Sequence, residues 1–143
     1  MPTSTRVLLC TDHAPLREAL RSFLSGETDI EVVGEASTGE ETLERVAALR
    51  PDVVVLDISL PGANGLETAR RIRKQSPQYM VLVLTMYHPR YYCCTALKTG
   101  AVRCILKSHV DTELVPAIRV ARGRASPGHR MLQTLQPGRP GEH

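Results

Sequence analysis

Four apolar residues in a row, Val53 to Leu56, stand between Asp52 and Asp57, and no other feature limits the fold as much. Period-two alternation marks a strand with one wet face. Its absence marks a strand covered on both faces, the usual state in a parallel α/β sheet. The reading is a strand over residues 52–56, with Asp57 directly at its carboxyl end. Parallel neighbours need crossover connections, so short apolar runs should alternate with segments of helical period.

Five such units can be counted. Residues 6–10 read as a buried strand, after which Leu16, Ala19, Leu20, Phe23 and Leu24 mark one face of a helix closed by Gly26. A strand at 30–33 precedes a helix that starts near Thr38, turns Leu43, Val46 and Ala47 to one face and stops before Pro51. Pro61, Gly62, Asn64 and Gly65 form a turn after the third strand. The third helix then sets Leu66, Ala69 and Ile72 inward and Arg70, Arg71, Arg73 and Lys74 outward, ending at Ser76-Pro77. Residues 80–84 give the fourth strand with Thr85 at its tip, residues 90–99 the fourth helix with Gly100 as C-cap, and residues 104–106 the fifth strand, ending at Lys107. A last helix takes Asp111 as N-cap and lays Leu114, Ile118 and Ala121 on the sheet. Pro116 removes one bond there, so a late start or a kink is expected.

At 143 residues the chain fits one domain, and with 42% hydrophobic and 23% charged residues it reads as an ordinary globule. No apolar run approaches the roughly 20 residues that span a bilayer, and residues 1–6 are too short and polar to lead a secretory signal. The expectation is a cytoplasmic protein that does not enter a membrane. Cysteines at 10, 93, 94 and 104 form no C-x-x-C pair, so they read as reduced thiols; a bridge between adjacent Cys93 and Cys94 would be strained. Residues 119–143 hold five arginines against Glu142 alone, a charge of +4 within a total of +3, which leaves the first 118 residues at −1. From Ala125 onward Pro127, Gly128, Pro137, Gly138, Pro140 and Gly141 interrupt any apolar period. The division is a domain over residues 1–124 and a basic, Pro/Gly-rich mobile tail over 125–143.

Ligands of open parallel α/β sheets bind outside the carboxyl ends of the strands. The residues that follow strands one, three, four and five are Asp12, Asp57, Thr85 and Lys107. Two carboxylates, a hydroxyl and an ammonium suit a hard divalent cation and a phosphoryl group. An aspartate attacks phosphorus in line only if charge on the incoming oxygens is offset, and Mg²⁺ with one lysine does that. Thr85 could bond one phosphoryl oxygen, so that phosphate displaces the loop after strand four. Taken singly, Asp57 or Thr85 would be read as a cap and Lys107 as a solvated charge; together they make a site. His13 and His88 lie near it and read as polar rim. A flavin or nucleotide enzyme would need a Gly-rich loop after strand one, and residues 11–15, Thr-Asp-His-Ala-Pro, contain no glycine.

The segments 7–13, 55–65, 83–86 and 100–107 resemble response-regulator receiver domains, above all those of LuxR/NarL-type two-component regulators, over about residues 5 to 123. The resemblance implies a flavodoxin-like doubly wound sheet of five parallel strands in the order 2-1-3-4-5, flanked by five helices. It implies Asp57 as phosphoacceptor, Mg²⁺ held by Asp12, Asp57 and the backbone carbonyl of Ser59, and Thr85 and Lys107 on the phosphoryl group. It further implies a histidine kinase as donor, transcription regulation as output, and no activity beyond the domain's own phosphoryl transfer and dephosphorylation. Ser59 and Tyr87 occupy positions that modulate how long the aspartyl phosphate lasts.

Two residues depart from the family pattern. Receivers usually carry two adjacent acids after the first strand, and Thr11 stands in place of one, so weakened Mg²⁺ affinity is expected. Cys104 stands where an aromatic ring usually swings between two positions; Tyr87, Tyr91 or Tyr92 would have to replace that relay. These departures motivate a second reading, an interaction or dimerisation module that works without phosphate. A LuxR-like DNA-binding unit needs some 60 further residues, so DNA contact is expected only through an output domain absent from this chain. A homodimer is expected through the fourth helix, fifth strand and last helix, including Tyr91 and Val102, or through the first and last helices.

Overall fold

A computed structural model describes residues 4–61, 65–75, 79–86 and 103–125. The strands are β1 (Thr5–Cys10), β2 (Ile30–Ala36), β3 (Val53–Asp57), β4 (Met80–Thr85) and β5 (Arg103–Leu106). The described α-helices are α1 (Ala14–Ser25), α2 (Gly39–Leu49), α3 (Gly65–Gln75) and α4 (Val110–Ala125). The five strands form one parallel sheet in the order β2-β1-β3-β4-β5. The expected fourth helix over 90–99, Gly100, Val102, Leu66's side chain and the tail beyond Ala125 lie outside the described residues.

Burial on both faces of the sheet explains the unbroken apolar run of β3. Val53 and Val55 join Val7, Leu9, Leu82, Leu84 and Ile105 under α1 and α4, where Leu20, Leu24, Leu114 and Ile118 meet them. Val54 and Leu56 join Leu8, Cys10, Val81 and Val83 under α2 and α3, against Val46, Ala69 and Ile72. β1, β3 and β4 thus each feed two cores in alternation. The Cys10 thiol in the second core is pushed up to about 12, by burial first, against the hydrogen bond with Thr42.

Several expectations shift in detail. Asp52 is not in the strand; its carboxylate accepts the Arg6 N–H at 2.8 Å and ties the start of β3 to β1. β2 runs three residues longer than its apolar signal, to Ala36, past an irregularity in its pairing with β1 at Val7/Leu8. In α2, Ala47 is exposed, and Thr42 and Val46 take the buried face. A buried threonine is tolerated because its hydroxyl donates to the Thr38 carbonyl at 2.8 Å. The helix starts on a capping box: Thr38 Oγ1 accepts from Glu41 N–H at 3.0 Å, and the Glu41 carboxylate accepts from Ser37 N–H at 2.6 Å.

The last helix corrects the reading more firmly. A 3₁₀ turn over Lys107–His109 leads directly into α4, which starts at Val110, so Asp111 lies in the first turn and is not the cap. The helix continues through Pro116 without starting late. The bond that proline forfeits is with the Thr112 carbonyl, and Thr112 is exposed, so water is available as its partner.

Gly65 opens α3 against the turn that follows β3. A Cβ there would stand 2.5 Å from Ile58 Cα and 2.7 Å from the Asp57 carbonyl oxygen, both backbone atoms that cannot swing aside. Gly65→Ala should therefore destabilise the fold by about 1–3 kcal/mol, seen as a lower urea midpoint; an unchanged midpoint would refute this packing. Cys10 offers a second check, since only a thiolate alkylates readily. At about pH 8 iodoacetamide should leave Cys10 unmodified in the native chain and modify it in urea, read by peptide mass mapping.

Candidate functional site

The carboxyl ends of β1 and β3 lie side by side at the point where the strand order reverses, with Cys10 paired to Leu56. The next residues, Thr11 and Asp57, therefore face each other. Thr85 is buried at the tip of β4, one step past the Leu84 that pairs with Asp57. Lys107 follows β5 in the 3₁₀ turn and reaches across β4 to the carboxylate.

Asp57 is 1% exposed, and every donor it needs is supplied by its neighbours. Lys107 Nζ lies 2.7 Å from Asp57 Oδ1. The same oxygen accepts the Ser59 N–H at 2.9 Å and the Ser59 hydroxyl at 2.7 Å. Lys107 Nζ also donates to Ser59 Oγ at 3.0 Å, which closes a triangle. Oδ2 accepts the Thr11 hydroxyl at 2.7 Å. Burial alone would raise the Asp57 pKa, but the bonds from Lys107, the Ser59 backbone, Thr11 and the Ser59 hydroxyl together outweigh it and hold the carboxyl below its usual range.

Of the residues singled out from sequence, Asp57 and Lys107 are in direct contact, and Ser59 joins them through its amide and hydroxyl. Asp12 stands beside them, exposed, its side chain in no hydrogen bond or ion pair among the described residues. His13 is the N-cap of α1 and gives the site only its N–H, donated to Thr11 Oγ1 at 3.1 Å. His88, Tyr87, Tyr91 and Tyr92 lie outside the described residues. Cys104 is half-buried on β5, paired to Val83.

Thr11 was legible only as a missing acid. Its hydroxyl is in fact a donor to the central carboxylate, fixed by a turn in which its side chain accepts from the residue two positions on. A threonine after a strand carries no signal of that kind by itself, because its partner lies 46 residues away.

The family model of the response regulator receiver domain matches residues 7–119. The chain is 38% identical over 115 residues to the nitrate/nitrite response regulator protein NarL of Escherichia coli (strain K12), covering 80% of this chain and 53% of that protein. It is 36% identical over 115 residues to the oxygen regulatory protein NreC of Staphylococcus epidermidis, with 80% and 53% covered. The chain thus spans about half the length of the curated relatives it matches. Among solved structures, a two-component response regulator of the LuxR family from Aurantimonas sp. SI85-9A1 superposes with a TM-score of 0.80 at 32% identity, covering 90% of this chain and 94% of that one. The response regulator domain of Thermotoga maritima CheB gives a TM-score of 0.77 at 32% identity, covering 83% and 96%.

The depressed Asp57 pKa sets a direction for pH dependence. The native carboxyl gives up its proton more readily than the unfolded one, so it stabilises the fold above the unfolded pKa of about 4, and that contribution is lost as pH falls through the lower native value. Without metal, Lys107→Met should cost about 2 kcal/mol near neutrality. Urea unfolding at a series of pH values should show the gap to wild type closing in acid; a gap independent of pH would contradict the pairing.

Proposed function

This chain belongs to the response regulator receiver domain family, as a NarL-like regulatory domain of two-component signal transduction, and from that premise we propose that it accepts a phosphoryl group on Asp57 from a histidine kinase. The observation that carries this reading is the Asp57 carboxylate at the end of β3, kept ionised under the Lys107 ammonium at 2.7 Å. A carboxylate oxygen attacks phosphorus, and the donor's leaving group departs with the bonding electron pair. Lys107 then meets the charge on the phosphoryl oxygens, and the Thr85 hydroxyl, at the adjoining strand end, donates to one of them.

Asp12, Asp57 and the Ser59 carbonyl offer hard oxygen donors, which fit Mg²⁺ in kind. Among the described residues no group of three or more His, Cys, Asp and Glu gathers at one place. Two carboxylates suit an ion that keeps several waters, and with Thr11 in place of a second acid its affinity is lowered. When bound, the ion would offset charge on the transferring group.

The functional unit in this reading is residues 1–124, with 125–143 as a tail. Phosphorylation changes homodimer or partner contacts of the surface made by the expected fourth helix over 90–99, β5 and α4, or of α1 with α4, in the cytoplasm. Transcription is controlled through an output domain outside these residues. Among the described residues no helix is long and apolar enough to cross a membrane.

The test is incubation of the purified chain with Mg²⁺ and acetyl phosphate. A mass gain of about 80 Da that disappears in Asp57→Asn is the expected result. No gain at any Mg²⁺ concentration, with no response to fluoroberyllate, would overturn the reading and leave the phosphate-independent interaction module in its place.

A further inference from the structure

The two oxygens of Asp57 look to opposite sides of β3, which runs between β1 and β4 with β5 beyond. Oδ1 meets Lys107, from the turn after β5, together with the amide and hydroxyl of Ser59. Oδ2 accepts the Thr11 hydroxyl, from the end of β1, at 2.7 Å. Asp12 is the next residue of that same strand end, so a cation shared by Asp12 and Asp57 takes Oδ2 and leaves Oδ1 to the Lys107 side. Thr11 is fully buried and held in place. Its N–H donates to the Ala36 carbonyl at 3.0 Å, its carbonyl accepts from Arg17 Nη2 at 3.2 Å, and its Oγ1 accepts from His13 N–H at 3.1 Å. The His13 N–H engages the oxygen of the hydroxyl, and the proton is committed to Asp57.

We propose that the Thr11 hydroxyl competes with the divalent cation for Asp57 Oδ2, so that Thr11 lowers Mg²⁺ affinity by the bond it donates as well as by the acid it replaces. The inference rests on the reading in which Asp12, Asp57 and the Ser59 carbonyl hold the ion. A charge-assisted bond draws on the same electron density of Oδ2 that a metal needs. The positive end of the O–H dipole also stands against the oxygen that the cation must approach. Turning the hydroxyl away relieves both effects but leaves a buried proton without an acceptor, which is costly. An acid in the same place has neither effect, because a carboxylate only accepts and adds attraction for the ion. A hydroxyl that served instead as a weak oxygen ligand would act with the opposite sign. Removing a competitor tightens binding, and removing a ligand weakens it.

Thr11→Val keeps the shape and removes the donor, Thr11→Ser keeps the donor, and Thr11→Asp replaces it with an acid. Each chain, wild type included, is labelled with nitrogen-15 and titrated with MgCl₂ at constant ionic strength without any phosphodonor. The dissociation constant is read from the amide shifts of residues 11–13 and 57–59. Thr11→Val should bind Mg²⁺ at least about threefold more tightly than wild type, Thr11→Ser should match wild type, and Thr11→Asp should bind more tightly than Thr11→Val. A merely loosened strand end would weaken binding in Thr11→Val. If circular dichroism shows that Thr11→Val is unfolded, Thr11→Ala carries the same expectation. Tighter binding in Thr11→Asp alone, with the donor-free variant equal to wild type or weaker, overturns this inference and leaves the cation site standing. Absence of saturable shifts in every chain, or shifts that persist unchanged in Asp12→Asn, overturns the cation site beneath it.

Discussion

A carboxylate withdrawn from water has to be compensated where it stands, and Asp57 imposes that requirement on the whole carboxyl edge of the sheet. The three sources of compensation come from different parts of the chain: Thr11 after β1, Ser59 in the turn after β3, and Lys107 after β5. One charge therefore couples segments that are 46 and 50 residues away from it in sequence. The ion pair is weak evidence for stability by itself. Its consequence is geometric, since any change in charge at Asp57 must be answered by β1, by the following turn and by β5 together.

The packing around that edge leaves little slack to absorb such a change locally. Gly65 brings the first turn of α3 onto the backbone of Asp57 and Ile58, with room for a hydrogen and not for a methyl group. On the far side of the sheet Arg119 of α4 pairs with Glu27 at 2.6 Å and Asp29 at 3.0 Å, in the turn between α1 and β2. Those pairs are exposed and individually modest. They nonetheless bridge α4 to the opposite edge, so α4 is held at one end by the turn carrying Lys107 and farther along by this contact.

The two unusual residues of the pattern have different weights in the structure. Cys104 lies on β5 beside Val83 and is a small side chain where a ring would be large. Thr11 keeps a polar side chain in the place of an acid and reverses its hydrogen-bonding sense: a carboxylate would only accept and would add negative charge, whereas the hydroxyl donates to Asp57. The site is less negative for it, which bears on cation and phosphoryl group in opposite directions.

The sequence alone determined the strand-helix alternation, the doubly covered β3 and the position of Asp57, Thr85 and Lys107 at strand ends, because hydrophobic period is a local property that reports burial directly. It located the Pro/Gly turn before α3 but could not show that Gly65 is required by contact with Ile58, since that distance depends on how α3 docks. It placed Ala47 inward and Asp111 as a cap because a helix's rotation and first residue are set by neighbours: the 3₁₀ turn and the water open to Thr112 decided α4, and the capping box with buried Thr42 decided α2. Above all, it could say that an acid was missing at Thr11 but not what the hydroxyl does. Only the pairing of β1 with β3 brings Thr11 to Asp57 Oδ2, and hydrogen bonding, unlike burial, needs a partner at 2.7 Å that no local pattern can supply.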